Sequence, residues 1–370
     1  MKKIKKYIKV PLSIIFRKYE KTVLVLRLDG IGDYMLMRNF IRELKSSEKF
    51  SGYKIALVVR SEYAELAKYL DGDTVDEFII VNFNRFFKSF RYRFMFLLRL
   101  RFFRPEFVLS PAFMPDEGLC LPILISIGAK NKIGWKASMI RFSEKGKDKK
   151  SYYKALTETF DPEDKIMFEF DRNRDFFERV TDKKISLETP SISYRKTNPL
   201  KIACFVPYTW ERYRNWNEEY SAEVIDWLIE RYGYQVMLLG KENGDWYSKL
   251  IGMLKNKENC HNLAGTQTLR GVVELMKSAK INISMDTGLA HISASLHVPT
   301  VIISCGSSEI LFHPYPGRAD VISVYPDRRP APVKTITNMS YEKSLKLGYN
   351  VNKVSPGDVK SAIDKMISEF

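Results

Sequence analysis

Two stretches hold residue types at spacings that could do chemistry. The first is Asp29-Gly30-Ile31-Gly32-Asp33, between an apolar run and an amphipathic one. Two glycines so placed allow a sharp turn and let a ligand approach backbone N–H groups. The stretch starts like the dinucleotide fingerprint G-x-G-x-x-G, but Met35 stands at the third glycine position, so the fingerprint fails. Asp33, at the mouth of the following helix, reads either as a cap of that helix or as a general base at a strand end. The second stretch is Ser284-Met285-Asp286-Thr287-Gly288-Leu289-Ala290-His291. Here Asp286 and Thr287 can cap a helix, and Gly288 permits close approach. His291 follows one turn later, as a structural histidine or a ligand-orienting one. Such a helix end accepts phosphate or ribose hydroxyls.

Weaker signals lie between them. Thr209, Arg212 and Arg214 follow a strand ending near Tyr208, and Glu242 follows one ending near Gly240. Residues past parallel strand ends converge on one sheet edge, here offering an acid for hydroxyls and a cation for phosphate. Asp71-Gly72-Asp73 has the D-x-D spacing of a metal site but reads as a turn, because D-G marks turns. The chain contains no G-x-x-x-x-G-K-[ST], H-E-x-x-H or G-x-S-x-G motif.

The elements that must position these residues alternate in type. Thr22–Leu28, Lys54–Arg60, Glu77–Val81 and Pro105–Ser110 are apolar runs of buried-strand length, with helical patterns between them. Met37, Phe40, Ile41 and Leu44 fall at helical spacing. Ser193–Lys201 breaks the composition with Asn-Pro punctuation. The alternation then restarts, with strands at Lys201–Tyr208, Tyr234–Gly240, Ile281–Asp286 and Thr300–Ser304. A helix spans Glu218–Arg231 with Gly233 as its terminator, and another lies near Trp246–Leu254. A last helix opens at Ser355-Pro356. The reading is an α/β protein with two Rossmann-like domains facing a central cleft. The domains are 1–21, a basic amphipathic segment; 22–195, the N-terminal domain; 196–354, the C-terminal domain; and 355–370, the final helix. Ser143–Lys154, polar and lysine-rich, reads as a mobile loop.

The chain has 370 residues, with 60 Lys and Arg against 44 Asp and Glu, a net charge of +16. At 45% hydrophobic residues, global disorder is excluded, and the charge predicts an anionic partner. The four cysteines form no C-x-x-C pair, which argues against a zinc ribbon or a disulfide framework and for a reducing compartment. The N-terminal 21 residues carry eight Lys/Arg against one Glu, and Arg85–Arg104 interleaves seven positive charges with ten Phe or Leu and no acid. The first reads as a lipid anchor or a solvated tail. The second reads as one sheet-covering helix meeting anionic lipid, or as a nucleic-acid surface. The opening apolar run is too short, and lacks the small-residue site, for a signal peptide. The longest uncharged stretch, Leu289–Ser308, is a poor membrane span.

With these residues assembled, the sequence resembles the heptosyltransferase-type glycosyltransferases, family 9. Val23–Leu44 resembles that family's first strand, turn and helix, and Ile127–Trp135 the element closing its first half. Asn262–Lys280 resembles the helix before the donor site, and Met285–Gly306 the donor-site signature. The resemblance implies a GT-B fold, with acceptor on the first domain and nucleotide-sugar donor on the second. It implies inverting, metal-independent transfer of a heptose or related sugar, usually from ADP-heptose, to the lipopolysaccharide core. No cofactor is implied beyond the nucleotide-sugar substrate. Asp33 matches the family's proposed base, and Thr209, Arg214, Glu242, Asp286, Thr287, Gly288 and His291 match donor-binding positions. Gly30 and Gly32 form the turn near acceptor and diphosphate. Arg214 stands where the family often has a lysine, keeping the charge but changing its geometry. Trp210 replaces a small polar residue, and Ser307–Arg318 departs from the family's threonine- and proline-rich turn.

The expected partners are a nucleotide sugar, a phosphorylated glycolipid acceptor and the anionic inner face of the cytoplasmic membrane, met through the basic segments. The expected location is cytoplasmic and peripheral, with no nucleic acid bound. The alternatives are another nucleotide-binding Rossmann enzyme, such as an NAD oxidoreductase or sugar epimerase, and a basic membrane or nucleic-acid adaptor.

Overall fold

A computed structural model describes residues 19–113, 115, 117–136, 149–163, 166–195, 198–209, 211–241, 244–328, 330 and 345–370. By compactness the chain divides into two units. The first comprises the residues up to Leu28 with Lys45–Ala64 and Asp73–Pro162. The second comprises Asp29–Leu44, Glu65–Gly72 and Glu163–Phe370.

The first unit is built on β1 (Glu20–Arg27), β2 (Lys54–Arg60), β3 (Glu77–Val81), β4 (Pro105–Ser110), β5 (Asn131–Trp135) and β6 (Glu158–Phe160). They form a parallel sheet in the order β3-β2-β1-β4-β5-β6. That is the doubly wound Rossmann order. Parallel strands covered on both faces read as continuous apolar runs, and Val23, Leu24, Val25 and Leu26 in β1 are all buried.

Arg85–Arg104 is two helices rather than the single helix expected. Asn82 caps α1 (Phe83–Lys88), and Ser89 caps α2 (Phe90–Phe102) by accepting a hydrogen bond from the Tyr92 N–H. A serine hydroxyl competes for backbone N–H groups, so it starts a helix more readily than it continues one. Phe86, Phe96 and Leu100 face the core, while Phe90 is 72% and Met95 56% exposed. Lys149–Ala155, at the end of the expected loop Ser143–Lys154, forms helix α3, and its Tyr152 is buried. The N-terminal basic segment up to residue 18, and the rest of that loop, lie outside the described residues.

The second unit repeats the architecture with β7 (Leu200–Val206), β8 (Gln235–Leu238), β9 (Cys260–Asn262), β10 (Ala279–Met285), β11 (Thr300–Ile303) and β12 (Val321–Val324). The order β12-β11-β10-β7-β8-β9 is again parallel and again the Rossmann order. Helix α4 (Glu218–Tyr232) stops at Gly233, whose φ of +64° is left-handed and suits glycine. The last helix, α5 (Pro356–Glu369), opens with a capping box in which Ser355 accepts from the Asp358 N–H. Val359, Ile363 and Met366 bury its inner face.

Two segments that follow strands of the first sheet pack within the second unit. The chain after β1 forms a short helix α6 (Ile31–Met35) and then α7 (Asn39–Ser46); α8 (Ala64–Asp71) follows β2. Phe40 of α7 stacks on Phe177 of α9 (Glu169–Thr181) at 5.7 Å and 10°, and the Asn173 side-chain amide donates to the Leu36 carbonyl. Asp71 proves more than a turn residue. It is buried and pairs with Arg38 through both oxygens, at 2.6 and 3.2 Å, and accepts from the Tyr34 hydroxyl. Arg38 also donates to the carbonyls of Ser191 and Leu70, so the guanidinium is satisfied in the interior.

Candidate active site

In an open parallel sheet, ligands bind outside the carboxyl ends of the strands, where the strand order reverses. In the second sheet that point lies between β7 and β10. The loop after β7 carries Thr209 and Arg214, and the loop after β10 carries Asp286, Thr287 and Gly288. These sequence-predicted residues are therefore brought together by topology.

Thr209 is buried and organises its own loop: its N–H donates to Asn215 Oδ1, its hydroxyl donates to the Glu211 carbonyl, and the Glu211 N–H donates back to Thr209 Oγ1. Arg214 reaches Glu211 at 3.0 Å and Asp286 at 3.3 Å, with the Tyr213 hydroxyl 3.0 Å from Nε. Burial would lower its pKa, but the two carboxylates more than offset this and raise it, so the cation is permanent. Burial likewise pushes the Asp286 carboxyl up, but Arg214 and His313 hold it well below the usual carboxylate range. Asp286 is an anion at any working pH.

The corner after β10 differs from expectation in one detail. Thr287 stands at the N-cap of α10 (Gly288–Ser295), yet its side chain does not cap the helix. Its hydroxyl lies 3.3 Å from Ser284 Oγ. Asp286 turns instead to Ser308, His313 and Arg214. The helix N-terminus thus keeps its electropositive N–H groups clear of those two side chains.

Gly32 and Gly288 place the first turn beside this corner. A Cβ built on Gly288 would lie 2.8 Å from Ile31 Cβ and 3.2 Å from the Gly32 nitrogen. A Cβ built on Gly32 would lie 2.6 Å from His291 Cδ2. The N-terminal turns of α6 and α10 therefore pack backbone to backbone. Asp33 is at the third position of α6 rather than at its N-cap, and its Oδ2 accepts from the Gly30 N–H at 2.9 Å. It is half-buried, and its charge is felt at His291.

His291 is buried, with Nδ1 2.5 Å from the Tyr315 hydroxyl. Burial depresses its pKa to about 4, so the imidazole is neutral near pH 7. Beyond Glu211, Tyr213 and Asn215 in the β7 loop, Ser308, His313, Tyr315 and Tyr325 also stand here without having been among the sequence expectations. Ser308, His313 and Tyr315 lie in the segment Ser307–Arg318, and Tyr325 follows β12. Glu242 and Trp210 lie outside the described residues. Among the described residues no cluster of His, Cys, Asp and Glu could hold a metal ion.

A fixed cation, a helix N-terminus and a carboxylate at a switch point, with a second carboxylate on an adjoining turn, are the parts of an anion-binding site of the open-sheet α/β class. The model of glycosyltransferase family 9 (heptosyltransferase) matches residues 122–342, and the chain belongs to this family. Lipopolysaccharide heptosyltransferase 2 of Escherichia coli K12 is 31% identical over 112 residues, which cover 30% of this chain and 32% of that protein. The match thus spans about a third of the length of that relative. The glycosyl transferase family 9 structure from Veillonella parvula superposes with a TM-score of 0.73 at 17% identity, over 96% of this chain and 99% of that one. The E. coli heptosyltransferase WaaC with ADP-2-deoxy-2-fluoro heptose gives 0.68 at 17% identity, over 93% and 99%. At these identities the likeness establishes the fold, two Rossmann-like domains of the GT-B class.

Proposed function

We propose that the protein transfers a sugar, with inversion and without a metal ion, from a nucleoside-diphosphate donor to a glycolipid acceptor. The donor class is ADP-heptose or a close relative, and the acceptor a lipopolysaccharide core or similar phosphorylated surface glycolipid. The family membership and the heptosyltransferase names of its relatives support this class. The observation that carries it is the packing of the Asp33 turn against the Asp286-Thr287-Gly288 corner.

In this reading Asp33 takes the proton of an acceptor hydroxyl as that oxygen bonds to the anomeric carbon. The bond from that carbon to the diphosphate oxygen breaks, and the nucleoside diphosphate leaves with the electron pair. A base so placed contributes roughly 10²–10⁴-fold. Arg214, fixed by Glu211 and Asp286, and the α10 N-terminus stabilise the departing charge. Asp286 accepts from a ribose or sugar hydroxyl, as does Glu242. Thr209 and Thr287 shape the donor loops, and neutral His291 orients phosphate or sugar without adding charge.

The acceptor is a lipid, and the first unit supports work at the cytoplasmic face of a membrane. Phe90 and Met95 are exposed among arginines that include Arg91 and Arg99. No helix among the described residues is long and apolar enough to cross a membrane.

The test is a panel of nucleotide sugars screened by thermal shift, followed by transfer to lipopolysaccharide truncated at defined core positions. A donor at 100 times its Kd should add about 2.7 kcal/mol of stability. Stabilisation by NADH but by no nucleotide sugar would overturn the assignment.

A further inference from the structure

Among the described residues, Asp286 meets its partners through one oxygen. Every side-chain contact it makes falls on Oδ2: the Ser308 hydroxyl donates to it, and Arg214 Nη1 and His313 Nε2 each lie 3.3 Å away. Two buried carboxylates, Asp71 and Asp226, and the half-buried Asp320 behave differently. Asp71 pairs with Arg38 through both oxygens, Asp226 accepts the Lys255 N–H on both, and Asp320 holds Arg318 with both. Among the described residues no hydrogen bond or ion pair falls on Oδ1, which leaves that oxygen's lone pairs available as acceptors.

His313 makes this arrangement rigid. It is fully buried, with Nε2 3.1 Å from Ser308 Oγ and Nδ1 2.8 Å from the Tyr325 hydroxyl, and its ring stacks on Tyr325 at 5.5 Å. Its loop is closed on itself. The N–H groups of Leu311 and Phe312 donate to the Ser308 carbonyl, and the Ile310 N–H donates to the His313 carbonyl at 2.7 Å. Ile310 takes φ +70° to close that turn, a conformation a β-branched residue rarely adopts. The groups run along the carboxyl edge in strand order: Tyr325 after β12, Ser308 and His313 after β11, Asp286 after β10 and Arg214 after β7. Imidazole suits the middle place, because its two ring nitrogens bond within one rigid plane and point away from each other.

We propose that His313 is a positioning residue of the donor site: with Ser308 it fixes Asp286 through Oδ2, so that Oδ1 accepts a hydrogen bond from a hydroxyl of the nucleotide sugar. This rests on the donor reading above. It assigns a positioning role to the loop between β11 and β12.

The experiment compares His313→Leu, His313→Gln and Tyr325→Phe with the wild-type full-length protein, using ADP-heptose as probe in binding and steady-state assays. His313→Leu should raise Kd and KM for ADP-heptose by ~10-fold or more, the weight of one charge-assisted hydrogen bond, with kcat moving much less. His313→Gln, which keeps a donor toward Asp286, should recover most of that affinity, and Tyr325→Phe should lose a smaller part. If His313→Leu does not fold, His313→Gln and Tyr325→Phe carry the test through the same KM-against-kcat split. Wild-type affinity in the variants, or losses of KM and kcat in parallel with lowered stability, would overturn the positioning role while leaving the donor reading intact. A wild-type protein that binds no nucleotide sugar would overturn both.

Discussion

Gly32 lies so close to His291 that a methyl group on it would come within 2.6 Å of the imidazole Cδ2. The glycine serves close approach and not an unusual backbone angle. It lets the turn that carries Asp33 touch the helix that follows the Asp286-Thr287 corner. Gly32→Ala should therefore cost about 1–3 kcal/mol by overpacking and weaken nucleotide-sugar binding as the two turns separate. Gly288→Ala, which would press on Ile31 and the Gly32 amide, should do the same. Denaturant unfolding and donor titration of both variants check this, and unchanged values would mean that the turns part readily.

Asp33→Asn keeps the size of the side chain and an acceptor for the Gly30 N–H. It removes the basicity. Transfer should fall by about 10²-fold or more while the Kd for the donor stays within a few-fold. Near wild-type turnover in the purified variant would move the base elsewhere.

His291 makes stability depend on pH. Its folded pKa is about 4, against about 6.5 in an unfolded chain, so between these values the unfolded state binds more protons. Folding stability from this group is present above pH 6.5 and is lost as pH falls toward 4, by at most about 3 kcal/mol. Asp286, with a depressed carboxyl pKa, adds its loss only below about pH 4. Stability measured from pH 7 to 4.5 should fall for the wild type and flatten in His291→Gln.

Arg38 and Asp71 are a buried pair whose polar atoms are satisfied by each other, by Tyr34 and by two carbonyls. Asp71→Ala leaves the guanidinium uncompensated and should cost about 3–5 kcal/mol. The double change Arg38→Met with Asp71→Leu should recover much of that. Equal stability of single and double variants in denaturant melts would show that the pair is not coupled.

Phe90 and Met95 stand on a helix bounded by arginines. Replacing both by Asp should reduce co-sedimentation with phosphatidylglycerol vesicles at low salt, without affecting donor binding. Binding equal to wild type would assign any lipid affinity to the N-terminal basic segment instead.

Much of the fold was legible because its signals are local. β2, β3 and β4 lie where their apolar runs predicted, and Ser355 and Gly233 bound their helices as their residue types require. The break at Ser89 was hidden because aromatic and basic residues continue across it, and one hydroxyl decides the boundary. Asp71 read as a turn because its partners, Tyr34 and Arg38, are more than thirty positions away.

The sequence by itself determined two parallel α/β halves and the two glycine-bearing turns, since strand length, helical period and glycine placement act within a few residues. Only the tertiary structure decided that Asp29–Leu44 packs with the second unit, that His291 is neutral, and that Ser308, His313 and Tyr325 secure Asp286. Those outcomes depend on burial and on partners from distant strand ends, which no local pattern of residues encodes.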